Sequence, residues 1–183
     1  MKRLLLLFLL FLPCAPALAD ERILSFHSEI VVLQDGSQQV TETIRVRAEG
    51  EQIRQGIYRD FPTDYRDRLG NRYRVGFEVL GARRDGQTEN YVLQTQGNGV
   101  RVYLGRKGIF LPPGNYAYEL SYRTDRQLGF FPDHDELYWN LTGNGWDFPI
   151  DRATARLLLP EGIPSAGLQA EGYTGPFGSQ GQD

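Results

Sequence analysis

Alternation with a period of two is the feature that most constrains this chain. Val40, Glu42, Ile44 and Val46 fall on one side of an extended backbone, and Thr41, Thr43, Arg45 and Arg47 fall on the other. Successive side chains point to opposite faces only in a strand, so the pattern predicts a strand with one buried side. The same period returns along the chain. Phe26, Ser28, Ile30 and Val32 precede an Asp35-Gly36 turn signal, and Tyr73, Val75, Phe77 and Val79 precede Asp85-Gly86. Tyr91 and Leu93 follow, then Gly97-Asn98-Gly99 leads into Val100, Val102 and Leu104. Pro112-Pro113-Gly114 separates these from Tyr116, Tyr118, Leu120 and Tyr122. Leu137, Trp139 and Leu141 predict a short strand, and Ala153, Ala155, Leu157 and Leu159 the last one. About eight short strands with hairpin-sized links predict an all-β, mostly antiparallel β-sandwich. Ten tyrosines, ten phenylalanines and 21 glycines agree with strands and turns rather than helices.

The first nineteen residues stand outside that pattern. Lys2 and Arg3 precede an unbroken apolar run over residues 4–12, and Ala17-Leu18-Ala19 supplies a small-x-small cleavage pattern. This predicts a signal peptide over residues 1–19 and an exported protein, periplasmic or on the outer face of the cytoplasmic membrane. The run is too short to cross a bilayer, which takes about 20 residues. Cys14, the only cysteine, lies inside this segment, so the mature chain is expected to have no thiol and no disulfide. Pro13 directly before Cys14 disfavours lipid attachment there. Removing Lys2 and Arg3 leaves 18 basic residues against 23 acidic ones. That balance argues against a nucleic-acid partner, which would call for a basic stripe.

Two segments carry unusual sequences. One is Gly56-Ile57-Tyr58-Arg59-Asp60-Phe61-Pro62, read as part of the longer connection after the second strand. The other is Asp135-Glu136-Leu137-Tyr138-Trp139-Asn140-Leu141-Thr142-Gly143-Asn144-Gly145-Trp146. With the opening in which Asp35-Gly36 precedes Val40-Thr41-Glu42, they resemble a bacterial family of predicted membrane proteins, domain of unknown function 2207. The resemblance implies a signal peptide, an extracytoplasmic β domain and then transmembrane helices, with no assigned activity. It marks Gly56, Tyr58, Arg59, Asp60, Trp139, Asn140, Gly143 and Trp146 as motif residues. It also implies that residues 20–160 form the extracytoplasmic domain. The Gly/Pro-rich residues 161–183 would begin a truncated remainder of it, with the membrane reached through a missing C-terminal part. The rival reading of residues 161–183 is a plain Gly/Pro-rich tail.

Glu42 is the residue least at home in its strand, because an unpaired carboxylate among Val40, Ile44 and Val46 costs several kcal/mol. Arg59 is the expected partner, in a buried ion pair pinning the 56–62 segment to the sheet. The alternatives are a ligand-binding carboxylate and a strand end near solvent. Trp139, in line with Leu137 and Leu141, reads as core, and Trp146 as a cap on the end of the sandwich. A sugar platform is the competing reading of both. Asp133-His134-Asp135-Glu136 reads as a solvated loop, its spacing matching no calcium or zinc motif. The Asn140-Leu141-Thr142 sequon is discounted on a predicted bacterial strand. No cofactor, metal or catalytic set is singled out, and an enzyme is not expected. The expectation is a non-catalytic interaction or sensing domain of a membrane-anchored envelope protein, its partner an envelope protein. The alternative is a glycan-binding module.

Overall fold

The structure is a computed structural model describing residues 20–66, 69–175 and 181–182. The segment read as a signal peptide, with Cys14, lies outside the described residues. The fold is all-β and mostly antiparallel. Strands β1 (Arg22–Val32) and β2 (Gln38–Ala48) form a hairpin whose turn Asp35 organises, its Oδ1 accepting from Ser37 N at 3.0 Å and Ser37 Oγ at 2.6 Å. β2 then pairs antiparallel with β10 (Gly114–Thr124), and β10 with β6 (Phe77–Arg84). The short β7 (Gln87–Thr88) and β13 (Ala153–Leu158) complete a six-stranded sheet in the order β13-β1-β2-β10-β6-β7.

A second, three-stranded sheet, β3 (Gly56–Pro62), β9 (Gly99–Gly105) and β8 (Tyr91–Gln96), covers the centre of the first. Ile57, Val102 and Leu104 from it meet Phe26, Ile44, Tyr118 and Leu120 in one buried cluster. β1 keeps both Ile23 and Phe26 inside, despite their odd spacing, because the register shifts between Ile23 and Ser25. A bulge adds one residue to a strand and restores the face. The remaining pairs are small: β4 (Asp64–Arg66) with β5 (Arg72–Arg74), β11 (Leu128–Phe130) with β12 (Asp135–Leu137), and β14 (Tyr173–Thr174) with β15 (Gly181–Gln182).

Several segments differ from their alternation. The 56–62 segment is no connection but strand β3, paired with β9 through all seven residues. Arg59 in an inward slot masks its period. The stripe from Tyr73 to Val79 is split between β5 and β6. Val75 turns inward between them while Asp125 holds the Gly76 amide at 2.6 Å. The Leu137 strand ends at Leu137, so Trp139 and Leu141 keep alternate burial on irregular backbone. Ala153, Ala155 and Leu157 lie on a strand, but it runs parallel to β1 at the sheet edge, where Leu157 remains 47% exposed. Tyr91 and Leu93 are likewise exposed rather than buried. In both cases the inward face extends past whatever covers it.

Candidate functional site

The site forms where β2 and β3 face each other across the sandwich. Glu42 on β2 is 0% exposed and Arg59 on β3 is 3% exposed. Arg59 donates from Nε to Glu42 Oε2 and from Nη2 to Oε1, both at 2.7 Å. This is the two-toothed geometry that a planar guanidinium makes with a carboxylate. Tyr122 on β10 donates its hydroxyl to Glu42 Oε1 at 3.1 Å. Burial works against the Arg59 charge, but the adjacent carboxylate outweighs it and holds the guanidinium above its ordinary value. Burial, and then the same carboxylate, push the Tyr122 hydroxyl well above its ordinary range, so it stays a proton donor. Phe26, Phe61 and Trp146 surround the cation, with ring centres 5.2, 4.9 and 5.7 Å from the guanidinium carbon.

The third corner of the guanidinium links the two unusual segments. Arg59 Nη1 donates to the backbone carbonyl of Thr142 at 2.8 Å, and Trp146 Nε1 donates to the same oxygen at 2.8 Å. The 140–146 turn is thereby clamped onto the core. Gly143, at φ +70, sits so close that a Cβ there would overlap Arg59 Nη1. That close approach and the left-handed backbone together demand glycine. Asn140 shapes the turn, its Oδ1 accepting from Gly143 N at 3.1 Å and its Nδ2 donating to Asn144 Oδ1 at 3.2 Å. Gly56 opens β3 at φ +147, where a side chain would strike the Leu104 carbonyl.

Glu42, Arg59, Gly143 and Trp146 therefore meet at one node, with Asn140 in the turn beside it. Tyr58 and Asp60 lie on the other face of β3. There Asp60 takes a bidentate pair from Arg101 at 2.6 and 2.7 Å, and the Arg101 guanidinium stacks 3.9 Å from the Tyr58 ring centre. Trp139 packs half-buried against the core. Tyr122 was missed as a partner because a tyrosine in an apolar stripe reads as bulk. A buried phenol needs an acceptor, and that was the available signal.

Glu21 was also missed. Its carboxylate accepts from the amides of Glu49 (2.9 Å), Glu51 (3.2 Å), Gln52 (2.7 Å) and Ile53 (3.1 Å), tying the start of β1 to the loop after β2. Burial opposes its charge, but the four amides prevail and hold its pKa below the ordinary 4.5. That loop borders a cleft of about 540 Å³ lined by Gln52, Arg54, Tyr58, Tyr103, Phe110, Trp146, Asp147 and Phe148. Trp146 thus joins the buried node to an aromatic cleft. Among the described residues no three His, Cys, Asp or Glu side chains are placed to hold a metal ion. No helix among them is long and apolar enough to cross a membrane.

Residues 22–182 match the family described as predicted membrane protein (DUF2207), N-terminal domain. The chain belongs to this family. Its similarity to the uncharacterized protein YciQ of Escherichia coli K12 is 33% identity over 131 residues, covering 72% of this chain and 21% of YciQ. The chain thus spans about a fifth of that relative's length. Among solved structures it is similar to leukotriene A4 hydrolase from Saccharomyces cerevisiae, with TM-score 0.41 and 16% identity over 59% of this chain and 16% of that one. An M1 zinc metallopeptidase variant from Deinococcus radiodurans gives TM-score 0.38 and 19% identity, over 61% and 22%. Likeness that weak carries no argument about activity. The established description is a domain of unknown function in a family of predicted membrane proteins.

Proposed function

We propose that this chain is the non-catalytic, extracytoplasmic binding domain of a membrane-anchored envelope protein, and that its partner meets it at the cleft beside Trp146. One observation carries the reading: the buried node is tied through the Thr142 carbonyl to Trp146, which lines the cleft. Glu42 accepts from Arg59 and Tyr122 and is 0% exposed, so its carboxylate presents no surface to a substrate from solution. The pattern of residues 1–19 supports export, and the family description supports a membrane anchor. Occupation of the cleft would then be passed to the membrane part through a domain whose sheets are pinned together.

A glycan is the second reading of the same cleft, favoured by Tyr58, Tyr103, Phe110 and Phe148 standing beside the polar Gln52 and Asp147. A photo-crosslinking residue at Phe110, in the protein within its native envelope, should trap a protein partner under the first reading. Under the second, purified peptidoglycan fragments alone should shift Trp146 emission. The absence of both a crosslink and a shift would contradict a binding role for the cleft.

A further inference from the structure

A second cavity, of about 610 Å³, lies on the β4–β5 hairpin and shares no residue with the Trp146 cleft. The two strands pair antiparallel, with Asp64 opposite Arg74, Tyr65 opposite Tyr73 and Arg66 opposite Arg72. Alternate residues share a face, so Asp64, Arg66, Arg72 and Arg74 stand together on one side of the ribbon. Arg74 takes both oxygens of Asp64, at 2.6 Å from Nε and 3.0 Å from Nη2. That bidentate pair uses up the carboxylate on this face. Arg66 and Arg72 form no ion pair with a described residue.

Like charges directly opposite one another weaken a strand pair. Arg66 and Arg72 nonetheless form such a pair, and both are exposed. Three guanidinium groups against one carboxylate leave two positive charges on this face. The concentration is local, since residues 20–183 hold 18 basic residues against 23 acidic ones. The base of the hairpin is fixed. The Asn98 carbonyl accepts from Thr63 N at 3.0 Å and Asp64 N at 2.8 Å, and Asn98 Nδ2 donates to the Asp64 carbonyl at 3.1 Å. Val75, just beyond Arg74, is buried. Arg126 brings a fourth guanidinium, its Nη1 donating to the Arg74 carbonyl at 3.0 Å. Prior anchoring of this kind lowers the ordering cost of binding.

We propose that this face is a binding site for a phosphate monoester, held between Arg66 and Arg72. Such a group carries close to two negative charges at pH 7, which matches the two charges left over. Its three terminal oxygens accept from two guanidinium forks at once, whereas a carboxylate is filled by one, as Asp64 is by Arg74. Binding also relieves the repulsion between the two opposed arginines. The organic part of the ester has the rest of the cavity, beside Asn98 and the stacked rings of Tyr65 and Tyr73. A soluble ester and a lipid headgroup present the same group to this site. The proposal does not depend on the reading of the Trp146 cleft.

Titration of the protein with phenyl phosphate, followed by amide NMR shifts, tests this. Shifts should centre on β4 and β5, with a dissociation constant between about 0.1 and 5 mM. Phenyl sulfate, of the same shape but a single charge, should bind at least about fivefold more weakly. Affinity for phenyl phosphate should fall as pH is lowered through about 6, where the dianion takes up a proton. Arg66→Gln and Arg72→Gln should each weaken binding at least about fivefold. Each should leave the melting temperature unchanged or raised, because it removes one of two opposed like charges. Sedimentation with phosphatidylcholine vesicles containing phosphatidic acid assigns a lipid source, and phenyl phosphate binding without it assigns a soluble ester. No shift on β4 or β5 up to about 10 mM phenyl phosphate, equal affinity for phenyl sulfate, or an affinity that both substitutions leave unchanged would overturn the proposal.

Discussion

β2 and β8 are apolar strands of one sandwich in opposite circumstances. β2 lies between β1 and β10 under the second sheet, and its inward row of Val40, Glu42, Ile44 and Val46 is 0% exposed, including the carboxylate. β8 has one neighbour, and its inward row is open to water although it contains no charge. Burial follows the layer above a strand more than the polarity of its side chains. Glu42 is tolerated in the dry centre because Arg59 and Tyr122 complete it, whereas Leu93 stays 49% exposed because the described residues cover only part of it. In such a molecule substitutions at the centre should be costly, and those at the exposed margin mild.

The largest expected effect comes from stranding Glu42. Arg59→Met should destabilise the domain by about 3–5 kcal/mol, because it leaves a buried charge without its partner. Equilibrium denaturation in urea would measure this, and a loss below about 1 kcal/mol would equate the pair with a surface contact. Glu42→Gln keeps the shape and some hydrogen bonding, so its cost should be smaller, about 1–3 kcal/mol. Gly143→Ala should cost about 1–3 kcal/mol through the strained backbone and the crowding of Arg59. It should also move Trp146 emission, and an unchanged spectrum would separate the 140–146 turn from the node.

Glu21→Gln should cost about 1 kcal/mol at neutral pH, the scale of a hydrogen-bonded group at the edge of the fold. Its sign with pH is fixed by the depressed folded-state pKa. The contribution is fully present above the ordinary 4.5 and is lost as pH falls from there through the folded value. The unaltered chain should therefore lose stability faster than Glu21→Gln below pH 4.5, and parallel acid limbs would refute the role. The smallest effect belongs to the margin. Leu93→Lys, at a position 49% exposed, should change stability in urea denaturation by no more than about 0.5 kcal/mol.

The same contrast explains what was legible in the sequence. β1, β2 and β10 declare themselves because one face of each is buried along its length, so period and burial agree. Glu42 stood out as a charge in such a row, and Arg59 as a cation between aromatic residues. The parallel placement of β13 was not legible, because its alternation is the same whichever way the strand runs. The exposure of Tyr91 and Leu93 depends on how far one sheet extends over another, which no local pattern encodes. Thr142 could not be found at all, since it acts through its backbone carbonyl, which every residue has.

A double-mutant cycle on Glu42 and Arg59 tests the centre most directly. Denaturation of Glu42→Leu, Arg59→Met and the double variant should show the double variant less destabilised than the two single losses predict together, with a coupling of at least about 2 kcal/mol. Coupling within about 0.5 kcal/mol of zero would contradict the account, because the two sheets would then be held by apolar packing with the ion pair as a bystander.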